Sequence, residues 1–157
     1  MADSDEIFLA LTGPFEAAAE RVAGLLGLEA NGDLRAESGE LQYKVRARTT
    51  GGVVGVYIGP NAFQSEPDEA QAMDSYGVVV DVQYRTHKPD QAAEARLMFE
   101  ALVDGLPEVP ALLSHNLEML VAAYLPGRGR HAFAPGTTLD DPDQGIWRPW
   151  VVADVNR

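Results

Sequence analysis

Cysteine is missing altogether from the 157 residues, which rules out disulfide frameworks, thiolate nucleophiles and Cys-ligated zinc. Histidine is scarce. His87, His115 and His131 never stand two, three or four positions apart, so the paired spacing of a zinc-binding helix does not occur, and each reads as a surface residue. No apolar run approaches the ~18 residues that cross a bilayer. The opening Met-Ala-Asp-Ser-Asp-Glu has neither the cationic nor the apolar part of a signal peptide. A cytoplasmic protein without membrane association is the expectation.

Reactive motifs are equally sparse. There is no Gly-x-Ser-x-Gly, and Gly51, Gly52, Gly55 and Gly59 fit neither a Rossmann nor a Walker pattern. Asp140, Asp141 and Asp143 resemble part of a calcium loop, but Pro142 intervenes and the required glycine and closing glutamate do not follow. No catalytic residue, metal or cofactor is therefore expected, and the chain reads as a non-enzyme.

Cations are also few. Twelve Lys and Arg stand against 24 Asp and Glu, a formal net charge of −12. Such an excess repels nucleic acid and anionic membranes and accelerates encounter with a basic partner. Lys44, Arg46 and Arg48 alternate with Tyr43, Val45 and Ala47, and with Tyr57 they could line a nucleic-acid groove. The overall charge favours a solvated strand face instead.

What is present is a globular composition, with 46% apolar and 23% charged residues. A chain of this length buries roughly 70% of its unfolded surface, enough for one well-cored domain. One domain over residues 1–157 is predicted, with a loop-rich tail at 134–157 packing on or near the core.

The clearest signals are a strand running into a helix. Val78, Val80, Val82 and Tyr84 alternate with Val79, Asp81, Gln83 and Arg85, a period of two that buries one set and leaves most of the other in water. Ala92, Ala95, Phe99, Leu102 and Leu106 then recur at helical spacing. Upstream, residues 7–11 read as a strand. Pro14 suits a first helical position, Phe15, Ala18, Val22, Leu25 and Leu26 form a stripe, and Gly27 offers a left-handed stop. Gly24 inside that stripe reads as room for close packing on a strand.

Asn31, Gly32 and Asp33 read as a turn before a short edge strand at 34–37. Gly51-Gly52 reads as a hairpin turn with positive φ between strands 43–47 and 53–58. Ser114, His115 and Asn116 read as a second turn. Residues 117–125, apolar on both faces, read as a central buried strand, followed by a short return at 131–134. The class is α+β: one mostly antiparallel sheet of about six strands with two main helices packed on one face.

Candidate contact residues come from charge and aromatics. Glu66, Asp68, Glu69 and Asp74 gather in a segment without an apolar stripe, read as a surface loop. Asp140, Asp141 and Asp143 precede Trp147 and Trp150, which flank Arg148 and Pro149. Tryptophan and arginine dominate binding hot spots, and neighbouring carboxylates favour a basic partner. The other reading of the indoles is that the tail folds back and they complete the core.

Residues 76–150 resemble the Sit-type immunity proteins, which protect bacteria from their own polymorphic exchange toxins. The resemblance is carried by the strand at 78–85, the polar gap to Asp90, the helix at 92–106, Leu112, Leu113, Asn116, Glu118 and Leu120, and the downstream Asp residues with Trp147. Where the family commonly has a Leu-Phe-Asn-Gly-Glu-like turn, this chain reads Leu113-Ser114-His115-Asn116-Leu117-Glu118. The resemblance implies a non-enzymatic antitoxin that binds a cognate protein toxin directly, and a basic nuclease-like toxin would suit the charge. Two other readings stand beside it: an acidic secretion chaperone holding an effector as a dimer, and a small-ligand or enzymatic module with a pocket.

Overall fold

The computed structural model describes residues 3–35, 39–61 and 72–152. Eight described strands make one sheet in which every pairing is antiparallel. In chain order they are β1 (Asp5–Leu9), β2 (Glu29–Arg35), β3 (Leu41–Arg46), β4 (Val53–Pro60), β5 (Val78–Gln83), β6 (Ala111–His115), β7 (Met119–Leu125) and β8 (Gly129–Ala132). The spatial order is β2-β3-β4-β5-β1-β6-β7-β8. Helix α1 (Phe15–Leu26) carries the chain from β1 out to the β2 edge, and α2 (Gln91–Gly105) carries it from β5 to β6. The α+β class is as expected, while eight strands replace about six.

β1 is the axis of the sheet. All five of its residues are buried, with Ile7 and Leu9 in the core beneath the helices and Phe8 in a second core on the opposite face. Alternation thus holds on a strand whose two faces are both covered. β7, expected at the centre, lies next to the β8 edge and is only partly buried at Met119, Val121, Tyr124 and Leu125. An apolar stretch on both faces marked two cores there, not a central position.

Both main helices lie on one face. Ala18, Ala19, Val22, Ala23 and Leu26 of α1 and Ala95, Met98, Phe99, Leu102 and Val103 of α2 meet Val54, Val56, Ile58, Val78, Val80 and Val82 of the sheet. Pro14 sits one position before α1, and its carbonyl accepts the first helical bond from Ala18 N–H at 3.2 Å. Gly27 closes the helix with φ 66°, as expected. The close helix contact falls at Gly105, where a Cβ would come within 2.6 Å of Leu25, whereas nothing lies within 4 Å of a Cβ at Gly24.

Three turn expectations change. Asn31-Gly32-Asp33 lies inside β2, and its pairing with β3 is irregular between Ala30 and Arg35. The β3–β4 hairpin forms, but φ is not positive at Gly51 or Gly52. Gly52 is demanded by space: a Cβ there would collide with the hydroxyl end of the Tyr84 ring. In the β6–β7 hairpin the turning residues are Asn116 and Leu117, both at φ 56°, while Ser114 and His115 belong to β6.

Candidate functional site

The C-terminal segment is folded onto the sheet face opposite the helices. Thr138 bridges to Met119, a 3₁₀ turn follows at Asp141–Asp143, and α3 (Gln144–Trp147) leads into a second turn at Arg148–Trp150. Trp147 is 2% exposed and packs in the second core with Phe8, Met73, Tyr76, Leu112 and Phe133. Its Nε1 has no hydrogen-bond partner among the described residues. Val152 N–H donates to the Tyr76 hydroxyl at 3.3 Å, and burial holds that phenol well above its ordinary pKa. The segment is therefore pinned at both ends of its helical part.

Its outer side carries different residues. Trp150 is half-buried, stacked on His131 with ring centroids 4.3 Å apart and 9° between planes. The Arg128 guanidinium lies 4.4 Å from the Trp150 centroid and donates to the Pro149 carbonyl at 2.6 Å. A cation over an indole face is held by the ring quadrupole. Ile146 is 48% exposed and Asp140 is exposed. Asp140, Ile146 and Trp150 thus belong to one short segment, with Arg128 and His131 reaching Trp150 from the β7–β8 hairpin.

The candidate contact residues that are described do not share one environment. Glu66, Asp68 and Glu69 lie outside the described residues, as does the Asp141 side chain. Asp74 is half-buried in the turn before β5. Asp143 Oδ2 accepts from Thr138 N–H at 2.7 Å and from its hydroxyl at 2.9 Å, and these bonds hold its pKa below the usual carboxylate value. Asp143 therefore closes its own loop. Trp147 belongs to the core and offers no anchor as folded, which leaves Asp140 and Trp150 on the outer side.

A second group of polar residues is one the sequence reading missed. On the face away from the helices, register places Gln42, Tyr57, Asp81, Glu6 and Ser114 in one row across five adjacent strands. Glu6 is only 6% exposed. Burial raises its pKa, and the nearby carboxylates of Asp81 and Asp5 add to the rise, while bonds from Ser4 and Ser114 oppose it. The Ser114 hydroxyl donates to it at 3.2 Å. Asp81 is likewise raised, first by burial, with Gln83 Nε2 donating to it at 3.0 Å. Two carboxyls that disfavour ionisation stand side by side. The sequence signals were an acid at 81 inside an apolar strand run and an acid at 6 immediately before one.

On the helix face a polar network ties α2 to the sheet. Glu94 is buried and accepts from Arg48 N–H at 3.0 Å and Thr49 N–H at 2.6 Å, fastening the β3–β4 loop. Gln91 accepts from Tyr84 N–H at 2.8 Å and donates to Asp5 at 2.8 Å. Asp5 in turn meets His115 Nδ1 at 2.8 Å, so His115 is half-buried and paired. Positions 91 and 94 fall on the same helical stripe as Ala95 and Met98, and this is the signal that betrays them as buried.

Among the described residues no group of three or more His, Asp or Glu is placed to hold a metal ion, and no described helix is long and apolar enough to cross a membrane. Comparison of the chain with family models, curated proteins and solved structures finds no match.

Proposed function

We propose that this chain is a non-enzymatic immunity protein that acts in the cytoplasm, binding and neutralising a cognate bacterial toxin. The observation that carries the reading is the C-terminal segment anchored by Trp147, along which Asp140 and Ile146 are exposed and Trp150 is half-buried. An interface core needs apolar and aromatic groups that are already ordered, ringed by polar ones. The anchored segment supplies both, so little ordering entropy is lost on binding. The net charge of −12 steers a basic partner such as a nuclease-like toxin, raising its association rate by ~10 to 1000 fold at low salt.

The test is co-expression with a toxin encoded beside this gene. The expected result is a stable complex on co-purification and restored growth of the toxin-expressing cells. Ile146→Asp or Asp140→Lys should weaken that complex at least about tenfold, the scale of a central hot-spot contact. Absence of both complex and rescue overturns the reading. A firm homodimer that captures an unfolded secreted cargo transfers it to the chaperone class.

A further inference from the structure

The sheet face away from the helices holds a hollow across β3, β4 and β5. Lys44, Gly55 and Gln83 are register partners on β3, β4 and β5, and they line a cavity of about 200 Å³ together with Asn31, Tyr57 and Arg85. Gly55 forms its floor. Nothing in the backbone requires glycine there, since φ is not in the left-handed region. An added Cβ would find only ordinary contacts, at 3.4 Å from the Tyr57 ring and 3.6 Å from the Gln83 carbonyl. A glycine in mid-strand weakens the strand and often marks a close approach, and here the nearest group is the Tyr57 ring.

Two cations line the hollow. Lys44 and Arg85 are exposed and have no ion pair among the described residues. Two carboxylates stand near. Glu29 is the register partner of Lys44, and Asp81 takes the amide of Gln83. Tyr57 and Val53, the latter 59% exposed, provide apolar walls. Two cations above a flat apolar floor suit a ring carrying a dianion, with Arg85 able to engage two oxygens at once.

We infer that the hollow over Gly55 binds a small phosphomonoester, its phosphate between Lys44 and Arg85 and its body against Gly55 and the Tyr57 ring. This site is separate from the C-terminal segment, so its failure leaves the toxin-binding reading untouched, and the reverse also holds.

The probe is phenyl phosphate, titrated into the full chain and followed by two-dimensional amide NMR, with inorganic phosphate, benzoate and phenol as comparisons. The expected result is saturable binding with Kd on the order of 1 mM or tighter, with shifts centred on residues 55, 57, 83 and 85. Phenol should not bind, and inorganic phosphate should bind more weakly. Lys44→Gln and Arg85→Gln, both on exposed side chains, should each weaken binding about tenfold, one charge-assisted contact. Gly55→Val should abolish it by filling the floor. Should Gly55→Val fail to fold, the two charge variants decide alone. Benzoate binding as tightly as phenyl phosphate overturns the phosphate assignment. Absence of saturation, or saturation unchanged in both charge variants, overturns the site.

Discussion

Glu6 on β1 and Asp81 on β5 stand directly opposite one another, their carboxyls on the sheet face away from the helices and both held above their ordinary pKa. Directly paired residues in antiparallel strands place their Cβ atoms about 5 Å apart, and like charges there repel. Burial removes the water that would screen them.

The sign of the resulting pH dependence follows. A carboxyl whose folded pKa is raised contributes stability that is fully present below its unfolded pKa and is lost as pH rises through the folded value. For these two groups the loss begins near the ordinary values of 4.5 and 3.8 and continues upward. Glu6→Gln or Asp81→Asn removes it. At pH 7 either variant should melt higher by roughly 2 to 4 °C, about 1 kcal/mol in a chain of this size, and the gain should vanish below about pH 4. A thermal melt series from pH 4 to 8 checks this, and equal effects at both ends would sink it. Asp143 runs the opposite way. Its lowered pKa gives stability present above 3.8 that disappears as pH falls further, so Asp143→Asn should matter least in acid.

The second expectation concerns Glu94, whose two oxygens hold the amides of Arg48 and Thr49. Glu94→Ala strands those donors next to the core and removes a charge-assisted acceptor, at about 2 to 3 kcal/mol. Glu94→Gln keeps one acceptor and should lose about half as much. Urea titration gives the energies. Hydrogen exchange supplies the location: the amides of Arg48 and Thr49 should exchange faster in both variants, with amides of β6 unchanged. Uniform acceleration across the sheet would mean that Glu94 serves global packing and not the loop.

Leu117 offers a gain. It holds φ at 56° and is 38% exposed, so it bears the left-handed penalty outside the core. That conformation costs a non-glycine residue roughly 1 to 2 kcal/mol. The preceding Asn116 is also left-handed, which makes this the pair for which Asn-Gly is the favoured sequence. Leu117→Gly should stabilise the protein by about 0.5 to 1 kcal/mol, after the added freedom of the unfolded chain is subtracted. Its urea midpoint should rise with unchanged slope, and a fall would show that Leu117 packs more than its exposure implies.

Local patterns were legible where one face alone decides a residue's fate. The stripes of α1 and α2, the alternation of β5 and the left-handed stop at Gly27 followed from period and backbone chemistry. Strand order did not. Nothing in residues 5–9 announces that β1 will sit between β5 and β6, because that depends on which long-range pairings bury the most surface. The same gap hid the pairing of Glu6 with Asp81 and with Ser114, the latter 108 positions away, and the partners of Glu94, 45 and 46 positions away. Turn chemistry misled in two ways. Gly52 answers to the Tyr84 ring and not to a left-handed φ, and Leu117 turns where no glycine is present. Of the contact candidates, Trp147 and Trp150 looked alike in sequence and separate only because the fold sends one indole into the second core and leaves the other at its rim.

That separation yields the last expectation. Trp147 is buried among Phe8, Leu112 and Phe133, so Trp147→Ala opens a cavity and should cost about 3 to 5 kcal/mol. Because Trp147 also pins the segment that carries Ile146, the toxin complex should weaken along with it. Ile146→Asp alters an exposed side chain and should leave stability within about 0.5 kcal/mol while removing the apolar contact at the interface. Trp150→Ala falls between, losing the His131 stack and the Arg128 contact at roughly 1 to 2 kcal/mol. Measuring stability by urea and affinity for the co-expressed toxin on the same three variants distinguishes anchor from contact. If Ile146→Asp binds as wild type while Trp147→Ala loses stability alone, the C-terminal segment is core closure and the binding face lies elsewhere.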